Sequence, residues 1–142
     1  MSTILQIADA VVAELAAGSF DQELFVERLY VPDFDLEEMD ELRVTVVPRE
    51  LRVNGLNRTQ CSYEADIDIA IQKKFKLGST AEIDPLVELV EAIADFFRLR
   101  RLTSFPAVIW SGTEHHVLYS EEHWNQYHQF TSLLTLTFRV DR

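Results

Sequence analysis

A chain of 142 residues is the size of one domain and is long enough to bury a core without disulfides or a structural metal. A hydrophobic share of 47% against 26% charged residues argues against intrinsic disorder, and Cys61, the single cysteine, excludes an internal disulfide and a cysteine-rich zinc module. The net charge of −11 lies almost wholly in the first half, where residues 1–70 hold fifteen acids against five arginines; this excludes a broad basic footprint for nonspecific DNA binding, and solubility alone also accounts for it.

The chain opens on Ile4, Ile7, Ala8, Val11, Val12 and Leu15 at helical spacing with Gly18 behind them, which predicts an amphipathic helix over 3–17. Residues 24–31, LFVERLYV, predict a strand that stops at Pro32, and DLEEMDE at 35–41 predicts a helical turn. Next comes LRVTVVPRELRV at 42–53, a strand with a break or bulge at Pro48. Asn54-Gly55 is a turn signal, and the polar stretch after it leads into YEADIDIAIQKKF at 63–75. There Tyr63, Ala65, Ile67, Ile69 and Ile71 share one face while Glu64, Asp66, Asp68 and Gln72 share the other, the pattern of a strand that is apolar inward and acidic outward.

Asp84 and Pro85 read as N-cap and first residue of a helix over 85–101, with Leu86, Leu89, Val90, Ile93, Phe96 and Phe97 as its buried stripe. Arg98, Arg100 and Arg101 then read as charges at the negative end of its dipole. A short strand near 106–111, a loop over 112–118 and a helical turn near 121–126 precede a last strand at 129–140, whose core face is Leu134, Leu136, Phe138 and Val140. The order predicts a single α+β domain over 1–142, two helices packed on a largely antiparallel sheet with a long β-hairpin arm.

The hairpin carries an argument about assembly. A compact body of this length is about 37 Å across, whereas a strand over 63–75 spans about 44 Å. Either the hairpin coils around the core or its tip, with Asn54, Gly55, Leu56, Asn57 and Arg58, stands out as an arm that another copy of the chain can engage.

With four glycines the chain has no phosphate-cradling loop, and neither GxSxG nor HExxH occurs. Glu114, His115, His116, Glu121, Glu122, His123 and His128 are ligand-capable, but adjacent histidines on a strand face apart and no pair has diagnostic spacing, so they are expected to hold no metal. The pairs Asp66/Asp68 and Glu37/Glu38 could be read as acid and base; without a cleft signal, a solvated or lumen-facing acidic strand is favoured. Trp110, Trp124, Tyr119 and Tyr127 could stack on bases or sugars, but packing and interface roles are favoured. The expectation is a protein without catalytic residues, metal or cofactor. No run reaches the roughly 18 to 20 apolar residues of a bilayer span, and MSTILQIADA lacks a basic leader, so no membrane partner is expected.

The amphipathic first helix, FDLEEMDELRVTVVPRE (34–50), YEADIDIAIQKKF (63–75), DPLVELVEAIADFF (84–97) and FTSLLTLTFRV (130–140) together resemble the tail-terminator and tail-completion proteins of long-tailed bacteriophages and prophages. The resemblance spans nearly the whole chain and lies in pattern, without a catalytic signature. It implies a homo-oligomeric ring, commonly a hexamer, assembled in the host cytoplasm and found in the virion tail. The ring's partners would be the tail tube protein and a neck or connector protein, and DNA would pass through it without specific binding. On that reading Glu64, Asp66 and Asp68 are candidates to face the lumen. A connector or neck protein of the same virion is the neighbouring reading, and a small metal-dependent enzyme is the alternative from another class.

Overall fold

The computed structural model describes residues 2–30 and 42–142. The expected turn over 35–41 and the pair Glu37/Glu38 lie outside the described residues. The elements run α1 (Thr3–Ala17), β1 (Phe25–Arg28), β2 (Arg43–Gly55), β3 (Cys61–Lys74), α2 (Thr80–Phe97), β4 (Ile109–Val117), α3 (Glu121–Tyr127) and β5 (Gln129–Asp141). This is an α+β fold with helices packed on a five-stranded sheet of order β1-β2-β3-β5-β4. β1 is parallel to β2, and every other neighbour is antiparallel.

α1 forms where the spacing predicts. The Ser2 hydroxyl accepts from the Leu5 amide, and Ile7, Ala8, Val11 and Leu15 are buried. Gly18 ends it, but not by the left-handed conformation that helix-ending glycines often supply: its φ is −74°. Space is the reason, since a Cβ there would lie 2.8 Å from the Phe20 ring and 3.1 Å from that of Phe96.

α2 starts five residues before the predicted position. Its N-cap is Ser79, and Pro85 sits inside the helix. The extra turn is anchored from outside: the Glu82 carboxylate accepts from the backbone amides of Lys76 (2.6 Å), Leu77 (3.1 Å) and Gly78 (3.2 Å), and Ile83 is buried. Those amide bonds, that of Lys76 foremost, hold the Glu82 carboxyl below its usual range. The helix also ends earlier, at Phe97, where Leu99 turns the chain at φ 59°. Arg98, Arg100 and Arg101 therefore lie past the helix. Arg100 reaches across to α1, its Nε 2.8 Å from the Glu14 carboxylate, while its guanidinium stacks 3.9 Å from the Phe96 ring centre.

The inner face of the sheet, with Val44 and Val46 of β2, Ile67, Ile69 and Ile71 of β3 and Leu134, Leu136 and Phe138 of β5, merges with the apolar stripes of α1 and α2 into one core. At about 25 cal/mol per Å² of apolar surface buried, side chains of this size stabilise the fold by about 2 kcal/mol each. Among the described residues no helix is long and apolar enough to cross a membrane.

Candidate assembly surface

The β2–β3 hairpin is as long as its sequence promised, with strands of 13 and 14 residues. β5 runs beside β3 along that whole length, from Lys74↔Gln129 to Ser62↔Asp141, and backbone bonds between Cys61 and Arg142 extend the ladder to the end of the chain. On the other side, β1 covers β2 only from Arg43 to Val46. Among the described residues the rest of β2 is therefore a bare edge, and from Arg49 onward most of it is exposed. Among the described residues, what stands free is one strand edge and a short loop, supported from behind by two further strands.

Asn54 and Gly55 do not make the turn that their dipeptide suggests. They pair with Ser62 and Cys61 as the last residues of β2, and the chain reverses over 56–60 instead. Asn57 builds that loop. Its side-chain oxygen accepts from the Thr59 amide at 2.9 Å, the Thr59 hydroxyl at 3.0 Å and the Gln60 amide at 3.0 Å, and the Leu56 amide bonds to the Gln60 carbonyl. Asn54, Gly55, Leu56, Asn57 and Arg58 are all exposed.

Glu64, Asp66 and Asp68 do point to the face away from the helical core, but the expected open acidic face is not what they form. Asp66 is 6% exposed and Asp68 9%. Arg52 reaches Asp66 from the neighbouring strand, and Arg49 lies 3.4 Å from Asp66 and 3.3 Å from Asp68. The hydroxyls of Thr137 and Thr135 on β5 donate to Asp66 at 2.9 Å and to Asp68 at 2.6 Å. Alternation sets the face correctly. The arginines arrive because β2 shifts register between Pro48 and Glu50, which places basic residues against the acids of β3. Buried carboxylates need such partners, and here they are both paired and hydrogen-bonded.

The histidine-rich stretch is also rearranged. Residues 112–118, expected as a loop, belong largely to β4, the far edge of the sheet, with register shifts at Trp110/Gly112 and His115/Val117. An edge strand needs only one apolar side, and these shifts break the alternation that would reveal it. Glu114, His115 and His116 lie on β4, Glu121, Glu122 and His123 on α3, and His128 at its left-handed cap. His123 Nδ1 is 2.8 Å from the Thr131 hydroxyl, and the His128 ring meets Phe75 edge-on. Among the described residues no group of three or more His, Cys, Asp or Glu is placed to hold a metal ion. Trp124 packs on Phe75 at 4.5 Å and on Tyr119 at 5.4 Å, while Trp110 lies against the core and donates to Thr113 at 3.0 Å.

Among the described residues, the edges of the sheet are where apolar surface is left open. Phe25, Tyr30, Leu51, Val53 and Leu56 are exposed along the β1–β2 side, and Ile109, Val117, Leu118 and Tyr119 along the β4 side. Among the described large apolar residues only Leu77 and Leu99 are exposed elsewhere. No protein-family model matches the chain, and comparison with curated proteins finds no match.

Proposed function

We propose that this protein is a structural component of a phage virion that assembles with copies of itself into a ring at the head-proximal end of the tail. There it ends polymerisation of the tail tube and offers a surface for head–tail joining. The observation that carries the reading is the apolar surface that the described residues leave open along both edges of the sheet, since a chain that worked alone would gain nothing from exposing it. The resemblance in pattern to tail terminators, over nearly the whole chain, suggests the place of the ring, and contacts between identical chains that are not two-fold close into rings when the rotation allows.

The electrostatic part of the reading moves from β3 to α2. Asp66 and Asp68 are neutralised, whereas Asp84, Glu88, Glu91 and Asp95 form an exposed stripe along α2. Those open acids are able to repel a phosphate backbone and let DNA pass without adhering. No catalytic role is part of the proposal.

The test is genetic. A phage or prophage that lacks this chain should accumulate full heads and separate tails of uncontrolled length, measured by electron microscopy of lysates. Normal-length tails joined to heads would refute the proposal, and normal-length tails lying unattached would move the protein to the neck.

A further inference from the structure

We infer that the contact between subunits is a strand-to-strand pairing in which the edge of β2 over residues 48–52, bare among the described residues, joins the edge of β4 over residues 109–113 of the next subunit, so that the sheets run on head to tail. This rests on the ring-forming reading above and specifies its interface.

Three features of the sheet lead there. First, the two edges stand at the same level: Leu51 pairs with Ala65, Ala65 with Phe138 and Phe138 with Trp110, one row across four strands. The part of β2 that β1 covers, residues 43–46, lies at the other end, opposite the last residues of β4. Second, β2, β3, β5 and β4 alternate in direction, so β4 of one subunit and β2 of the next are antiparallel with their helices on the same side. Pairing β4 with β4, or β2 with β2, is two-fold and stops at two chains, leaving the other edge bare. Pairing β4 with β2 uses both edges and repeats.

Third, the side chains match. Leu51 and Val53, 39% and 50% exposed, lie on the core side of β2, in line with Trp110 on the core side of β4; Ile109, 60% exposed, adds apolar surface on the opposite face. Joining the sheets places Leu51 of one subunit beside Trp110 of its neighbour and extends the core row between chains. On the other face, Arg49 on the β2 edge, which also holds Asp66 and Asp68, stands near the level of the Glu114 side chain, 74% exposed on the β4 edge.

Two variants test the inference, Leu51→Lys/Val53→Lys to block the β2 edge and Ile109→Lys/Ser111→Lys to block the β4 edge. All four positions are exposed, and circular dichroism of each variant should match wild type. Mass measurement of wild type should give one closed-ring mass, each variant alone should give the monomer mass, and an equimolar mixture should give heterodimers, because each variant keeps the edge that the other lacks. Either variant assembling alone as wild type does, a β2-blocked variant forming dimers by itself, or a mixture that stays monomeric would overturn the pairing; in these outcomes rings of wild type would still stand. Open polymers of wild type that both variants dissolve would support the pairing and overturn the ring. A wild-type monomer would overturn both. Hydrogen exchange on the assembled wild-type protein reads the same contact without substitution: the amides of 49–52 and 109–113 should become slow to exchange on assembly, and unchanged fast exchange there would overturn the pairing.

Discussion

Arg52 holds Asp66 in a two-pronged grip, with Nη1 2.9 Å from Oδ2 and Nη2 3.1 Å from Oδ1, across the two strands of the long hairpin. The hydrogen bond from Arg52, more than burial opposes it, keeps the Asp66 carboxyl below its ordinary value of 3.8, helped by Thr137 and Arg49. A carboxyl with a depressed folded-state pKa stabilises the fold above its unfolded value, and that contribution is lost as pH falls through the folded one. Asp66→Asn should therefore cost about 2 kcal/mol at neutral pH, with the gap from wild type closing below about pH 4. Urea unfolding of both proteins across that range measures it, and a gap independent of pH would contradict the ion pair's role.

Glu14 and Arg100 make a second latch, between α1 and the segment after α2. Burial pushes the Glu14 carboxyl up, but hydrogen bonds from Thr103 and Arg100 outweigh it and leave the group below its usual range. Arg100→Met removes the cation while Glu14 stays buried, so the variant should lose about 2 kcal/mol at neutral pH. Part of that loss should return on acidification, because Arg100 helps to lower the Glu14 pKa, its removal raises that pKa, and the gap from wild type closes as the carboxylate is protonated. Denaturant midpoints measured against pH should show the gap between the two proteins narrowing as pH falls, and a gap that does not change with pH would contradict the latch.

Gly18 is a steric requirement and not a conformational one. Its φ of −74° suits any residue, so Gly18→Ala should destabilise only through the close approach of Phe20 and Phe96, by about 1 to 3 kcal/mol. Trimming the nearer ring with Phe20→Leu should make the two changes non-additive, and simple additivity in thermal unfolding would contradict the packing account.

The ligand-capable residues between Glu114 and His128 are divided between an edge strand and a short helix. Elemental analysis of purified protein should give no stoichiometric transition metal, and the unfolding temperature should be unchanged in chelator. About one zinc, manganese or iron per chain would overturn this.

The elements legible from sequence were those whose stabilising contacts repeat along one segment. α1 declared itself through Ile7, Val11 and Leu15, and β3 and β5 through unbroken alternation, because each buries one full face against the same core. What escaped depended on distant partners. The first turn of α2 rests on Glu82 bonding the turn at 76–78, so Pro85 looked like a start and was not one. β4 is an edge strand with two register shifts, and its exposed histidines read as a loop. The solvated appearance of Asp66 and Asp68 failed because the bulge in β2 brings Arg49 and Arg52 over them. At the candidate surface the hairpin half was legible from strand length alone. The β4 half was not, since only the strand order places it at the opposite edge and at the same level.

The claim on which the account turns is that the purified protein closes on itself. Single-particle imaging together with mass measurement over a range of concentrations tests it most directly. Closed rings of a single subunit number are expected, with the β2 edge of each subunit against the β4 edge of its neighbour. A chain that stays monomeric at every concentration would contradict it.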